Sequence, residues 1–206
     1  MGDAEHIRAL SSNVRSKAHP RITLPGMTSN VLQDPATLRA LGETPADVQA
    51  RLTRELDAFG EALRSREGDW QRQQPGRDWS PAQETEHVMK VNGAVASVLR
   101  LLLSDRPLRP GEQATGELRD GKRQAPVATM PSETGISWAE VEAQWQANRA
   151  ALEAQAAQVR ETPGRTVWHP FFGELDALDW LRMGVYHIGH HRRLMAQSAP
   201  NTEPSA

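Results

Sequence analysis

The chain has 206 residues, room for one domain with a real core and some loose ends, and 38% of them are hydrophobic. Its 15 glycines and 14 prolines point to a compact helical part diluted by polar connections. A formal net charge of -2 argues against nucleic acid or an anionic membrane as partner, and the lack of cysteine excludes disulfides and leaves any metal to nitrogen and oxygen ligands.

Residues 1–33 lack sustained periodicity and contain Pro20, Pro25 and Gly26, which predicts a flexible or draped extension. Its start, Met1 to Arg8, is polar and lacks the apolar core of a signal peptide. Asp34-Pro35 opens a short helix expected to end near Leu41 and Gly42. Thr44-Pro45 opens a longer one, in which Val48, Leu52, Leu56, Phe59 and Leu63 recur every three or four residues before Gly68 ends it. After a polar stretch from Asp69 to Trp79, Ser80-Pro81-Ala82-Gln83 combines an N-cap, a first-turn proline and a capping-box glutamine, predicting a helix to about Ser104. Its apolar-rich run, Val91 to Leu103, is interrupted by Asn92, Ser97 and Arg100 and is too short to span a bilayer.

The connection from Asp105 to Gly135 is roughly twice the length at which structureless loops become uncommon, which suggests a lid or a crossover. Ser137-Trp138-Ala139-Glu140 reads as another capping box, opening a helix expected to run to about Pro163. Val141, Trp145, Leu152 and Val159 form its stripe, with Asn148 on the same face. Asp176, followed three residues on by Asp179, caps a final helix from Ala177 to about Gln197, and residues 198–206 read as a disordered tail. No strand pattern competes. The expectation is an all-α, four-helix bundle over residues 34–197 in a soluble cytoplasmic protein.

Seven histidines occur, of which His6 and His19 lie in the N-terminal extension. His187 and His191 are four apart on the last helix, one turn apart and about 40° around its axis, a spacing that lets two imidazoles converge on one ion. Trp180, Gly184, Leu194 and Met195 share their stripe, which is expected to face inward. His87 heads a second stripe, with Val91, Ala94, Val98 and Leu102. If the two helices pack antiparallel, the start of one lies beside the end of the other, and the three rings meet at one end of the bundle. A His187/His190 pair is also geometrically feasible, but His191 agrees better with the apolar stripe, leaving His190 at the rim. His169, before Pro170, is expected to pin its loop by a hydrogen bond.

Two stretches resemble the DinB/YfiT-like family: Asp78-Trp79-Ser80-Pro81 through His87, and Trp168-His169-Pro170-Phe171-Phe172-Gly173 through Trp180 to Tyr186-His187-Ile188-Gly189-His190-His191. The first resembles that family's tryptophan turn, Ser-Pro helix start and single histidine; the second resembles its His-Pro-x-x-Gly entry and His-x-x-x-His pair. The resemblance implies a four-helix bundle with an unusual crossover and often a homodimer. It also implies one divalent ion (zinc, nickel, iron or manganese) on His87, His187 and His191. Relatives of this kind include transferases and isomerases that use a low-molecular-weight thiol such as bacillithiol or mycothiol, and proteins called metal-dependent hydrolases. The family often has a glutamine three residues after the last ligand, where this chain has Leu194.

Three neutral imidazoles leave a coordination position open, the arrangement of a catalytic rather than a structural site, suited to hydrolysis or thiol transfer on a small molecule. No general base is identifiable, since Glu84 and Glu86 read as charges near a helix N-terminus, and Arg192 and Arg193 could meet an anionic substrate or simply solvate a helix end. The alternatives are a non-catalytic metal or small-ligand binding protein of a stress response, and a helical scaffold with structural histidines.

Overall fold

The computed structural model describes residues 34, 36–109, 111 and 113–197. The extension over 1–33 and the tail over 198–206, with His6 and His19, lie outside the described residues. Five helices follow in order: α1 (Ala36–Arg39), α2 (Pro45–Arg64), α3 (Pro81–Leu103), α4 (Trp138–Ala156) and α5 (Ala177–Gln197). Their starts are set locally. The Thr44 side chain accepts from Asp47 N and the Ser80 side chain from Gln83 N, each in a reciprocal capping box. Asp176 Oδ1 accepts from Asp179 N at 2.8 Å to open α5. Ser137 departs from the expected capping box: its hydroxyl donates to Glu140 Oε2 at 2.6 Å and makes no bond to the helix backbone. Helix α4 also ends at Ala156, about two turns before Pro163. Gln49 Nε2, from α2, donates to the Ala156 carbonyl at 2.8 Å and satisfies an acceptor that the helix would otherwise use itself.

The structure adds two short antiparallel hairpins to the expected all-α pattern, β1 (Leu118–Arg119) with β2 (Lys122–Arg123), and β3 (Val167–His169) with β4 (Gly173–Leu175). Strands of two or three residues are too short for an alternating pattern to register. The first did leave a trace, because Asp120-Gly121 at its tip is the dipeptide that tolerates positive φ at both positions, and both have it here (51° and 74°).

Cross-links between helices give their directions. Thr53, Asp57 and Arg64 of α2 meet Glu153, Arg149 and Glu142 of α4, so these two run antiparallel. Gly42, Glu55 and Arg66 meet Arg182, Arg192 and Met195, so α2 and α5 run parallel. Gly184 faces Val95 while His187 faces His87, so α3 and α5 are antiparallel, as the convergence of their histidines requires. It follows that α3 and α4 run parallel. The chain must therefore travel back along the bundle between them, which is why residues 104–137 form so long a connection.

The core is the α2 stripe Val48, Leu52, Leu56, Phe59 and Leu63 against Val141, Trp145 and Leu152 of α4 and Leu181, Val185 and Ile188 of α5, all buried. Phe59 and Trp145 stack at 4.9 Å between centroids. On α3 the inward face is rotated from the one the sequence suggested. Ala94 is exposed and Val91 and Val98 are half-buried, whereas Val88, Asn92, Val95 and Leu99 are buried with Leu102. Asn92 disguised this face: its side-chain amide donates to Asn148 Oδ1 on α4 at 3.0 Å, and Asn148 donates to the Met89 carbonyl at 2.8 Å. Among the described residues no helix is long and apolar enough to cross a membrane.

Near its end the connection runs along the first three turns of α3. Gln83 donates to the carbonyls of Ser132 and Glu133, Glu86 accepts from Ser132, and Lys90 donates to the Met130 carbonyl. Gly135 closes the fit with φ +70°; a Cβ there would lie 2.5 Å from the Ala82 carbonyl carbon and from Gln83 N.

Candidate metal centre

His87 stands nearly two turns into α3, and His187 and His191 stand in the second half of α5. The antiparallel packing brings all three rings together, with centroid separations of 4.9, 4.8 and 4.4 Å. One ligand atom from each lies within 4.8 Å of the others, and the Nε2 atoms of His87 and His187 are 3.0 Å apart. Two nitrogens bound tetrahedrally to zinc would be about 3.4 Å apart, so these separations bracket the requirement. Residues 87, 187 and 191 thus form the cluster that the spacing pointed to.

The outer nitrogens decide which way the rings can serve. His87 Nδ1 lies 2.8 Å from the Thr129 carbonyl, which can only accept, so the proton sits on Nδ1 and the Nε2 lone pair faces the cluster. The carbonyl belongs to the connection strapped along α3, one more rung in the row formed by Gln83, Glu86 and Lys90. His191 Nδ1 lies 2.5 Å from Glu84 Oε2, and with Glu84 as the carboxylate that its Arg77 partner favours, Nδ1 donates and the ring takes the same tautomer. Glu84 is buried, and its other oxygen is held by Arg77. Sequence reasoning gave Glu84 only a helix-terminus role. The available signal was its position three residues before His87, on the same face of α3. His187 differs: its Nδ1 is buried without a partner.

Burial is the first cause that holds all three imidazoles below their usual range, His187 and His191 well below, and the neighbouring rings of the cluster add to it for those two. Neutral imidazole is the form that ligates a cation, so the site is prepared in the right protonation state. Burial raises the Glu84 carboxyl, opposed by the Arg77 guanidinium. Three neutral imidazoles, two of them with the outer nitrogen held by Thr129 and Glu84, fit a divalent ion.

Around the cluster, Trp79 lies 4.7 Å from His87 and stacks at 6.4 Å on His191. His190 turns outward, exposed, and stacks on Tyr186, placing it at the rim. His169 Nδ1 accepts from Phe171 N at 3.1 Å and pins the β3–β4 turn, as expected. Arg192 is tied to Glu55 on α2 at 3.0 Å. Leu194 is half-buried.

Comparison with known proteins agrees with this architecture. A search of curated proteins finds no match. A crystal structure described as TT2238, a four-helix bundle protein, shares 28% identity with a TM-score of 0.53, over 74% of this chain and 98% of that one. The family model of the DinB superfamily matches residues 51–195, from within α2 to the end of α5 and including all three histidines. The chain belongs to the DinB superfamily.

Proposed function

We propose that the protein binds one divalent ion, zinc or nickel in the first instance, through His87, His187 and His191, and acts as a metal-dependent enzyme on a small molecule. The reaction would be transfer to a low-molecular-weight thiol, such as bacillithiol, or hydrolysis. The observation that supports this most is the pair of locked tautomers, Thr129 on His87 and Glu84 on His191, which turn two lone pairs toward the His187 ring. An ion held by three imidazoles keeps a position for water or thiol and makes either more acidic. The chain's residues hold that position in place. Glu84 and Arg77 keep the His191 proton on Nδ1, the 129–135 strap does the same for His87, and Trp79 shields one side of the rings.

One observation favours a second reading, a binding protein without turnover. The carboxylate nearest the rings, Glu84, is already engaged on both oxygens and is not free to act as a base. Elemental analysis of untagged protein tests the shared premise. About one ion per chain is expected in the wild type and near none in His87→Ala or His191→Ala, while His190→Ala should keep its ion; an empty wild type would end both readings. Turnover of an electrophile panel with and without small thiols then separates them. The family also leads us to propose a cytoplasmic homodimer, which sedimentation would test.

A further inference from the structure

The β1–β2 hairpin lies over the histidine end of the bundle. On one side Lys122 Nζ is 3.6 Å from Asp78, in the turn that leads into α3. On the other, the Arg123 guanidinium sits over the rings of Phe171 and Phe172, at 5.4 and 5.7 Å from their centroids. The segment before the hairpin is tied to the same aromatic turn. Gly116 N donates to the Pro170 carbonyl at 2.9 Å, and Trp168 Nε1 donates to the Ala114 carbonyl at 2.9 Å. Contact at Gly116 is so close that a Cβ would fall 2.3 Å from the Phe171 ring.

From Arg123 a run of rings leads toward the cluster. Phe172 meets Tyr186 edge-on at 6.1 Å, Tyr186 stacks on His190 at 6.4 Å, and Tyr186 directly precedes His187. Burial first, and then the positive field of Arg123, lower the proton affinity of His169 in the same aromatic turn. Yet among the described residues Arg123 has no ion pair and no hydrogen bond, although acids stand near. Asp78 is matched with Lys122, and Glu174 accepts from Gln113 and Thr166. An exposed guanidinium laid on two aromatic faces, with its donors unused, is prepared to receive an anion.

We propose that Arg123 is a specificity-determining residue, which anchors the carboxylate of a small ligand whose other end reaches the three-histidine centre. The inference rests on the metal reading above. It selects for acids over neutral molecules of equal length, because the ligand's far end meets a fixed cation whose planar fork matches a carboxylate.

The test uses the full chain loaded with cobalt(II), whose thiolate charge-transfer band reports binding without turnover. Mercaptocarboxylic acids with two to six methylenes are titrated against the corresponding mercaptoalcohols at low and high salt. At one chain length the acid should bind wild type about fivefold to tenfold more tightly than the alcohol. Arg123→Gln should abolish that preference with cobalt content unchanged, and Arg123→Lys should keep part of it. Arg119→Gln, on the same hairpin, should leave it intact and so control for overall charge. Equal binding of acids and alcohols at every length, or a preference that survives Arg123→Gln, overturns the assignment of Arg123 alone. Failure to hold cobalt or to show any thiolate band overturns the metal reading, and this inference falls with it.

Discussion

Helix α2 buries Val48, Leu52, Leu56, Phe59 and Leu63, whereas the first half of α3 buries Glu84, Thr85, His87 and Asn92 among its apolar residues. The α2 face needs only carbon opposite it, and α4 and α5 supply it. Glu84, His87 and Asn92 on α3 depend on particular atoms brought from elsewhere: Arg77 and His191 for Glu84, the Thr129 carbonyl for His87, Asn148 for Asn92. One helix is a seam that stabilises; the other is a frame whose polar groups are held in orientation by distant segments.

Leu56→Ala is the sharpest way to separate the two. It should lower the unfolding free energy by about 2–5 kcal/mol while the folded fraction still takes up one ion, measured by denaturant unfolding beside elemental analysis. Loss of the ion from protein that remains folded would show that seam and frame are not independent. Glu84→Gln should do the reverse, weakening metal affinity by roughly 10- to 100-fold in competition with a chelator. An unchanged affinity would remove Glu84 from the site.

Acid should find the same end of the molecule. Burial and the Arg123 charge push His169 down to about 4 from 6.5, so the unfolded chain takes up its proton first as the pH falls. The stability this ring contributes is intact above pH 6.5 and is lost between 6.5 and about 4, by roughly 1–3 kcal/mol. In metal-free protein, His169→Asn keeps an acceptor for Phe171 N without a titrating group and should flatten that part of the profile. A profile identical to wild type would refute the assignment. The smallest effect is expected from Lys90→Ala, about 0.5–1 kcal/mol, with faster amide exchange over residues 129–132 and no change in bound metal. Unchanged exchange there would mean that Lys90 does not hold the strap.

The same division governs what could be read in advance. Every member of the α2 stripe, and the starts of α3 and α5, were legible because apolar spacing and capping residues are local signals. His87, His187 and His191 were legible because a helix repeats and two helices end side by side. The inward turn of α3 was not, because Asn92 looks like a surface residue until Asn148 is seen opposite it. Nor was the role of Glu84, whose partners lie 7 and 107 residues away. The hairpins escaped because their strands are too short to carry a pattern, although Asp120-Gly121 marked the first.

At residue 135 there is no room for even a methyl group against the opening turn of α3. Gly135→Ala would have to lift the strand of chain that ends there, and six residues upstream the Thr129 oxygen would leave His87. Freed of that acceptor, the ring could move its proton to the other nitrogen and present a donor where an electron pair is needed. A substitution that touches no imidazole would then silence one by changing which of its two nitrogens carries hydrogen.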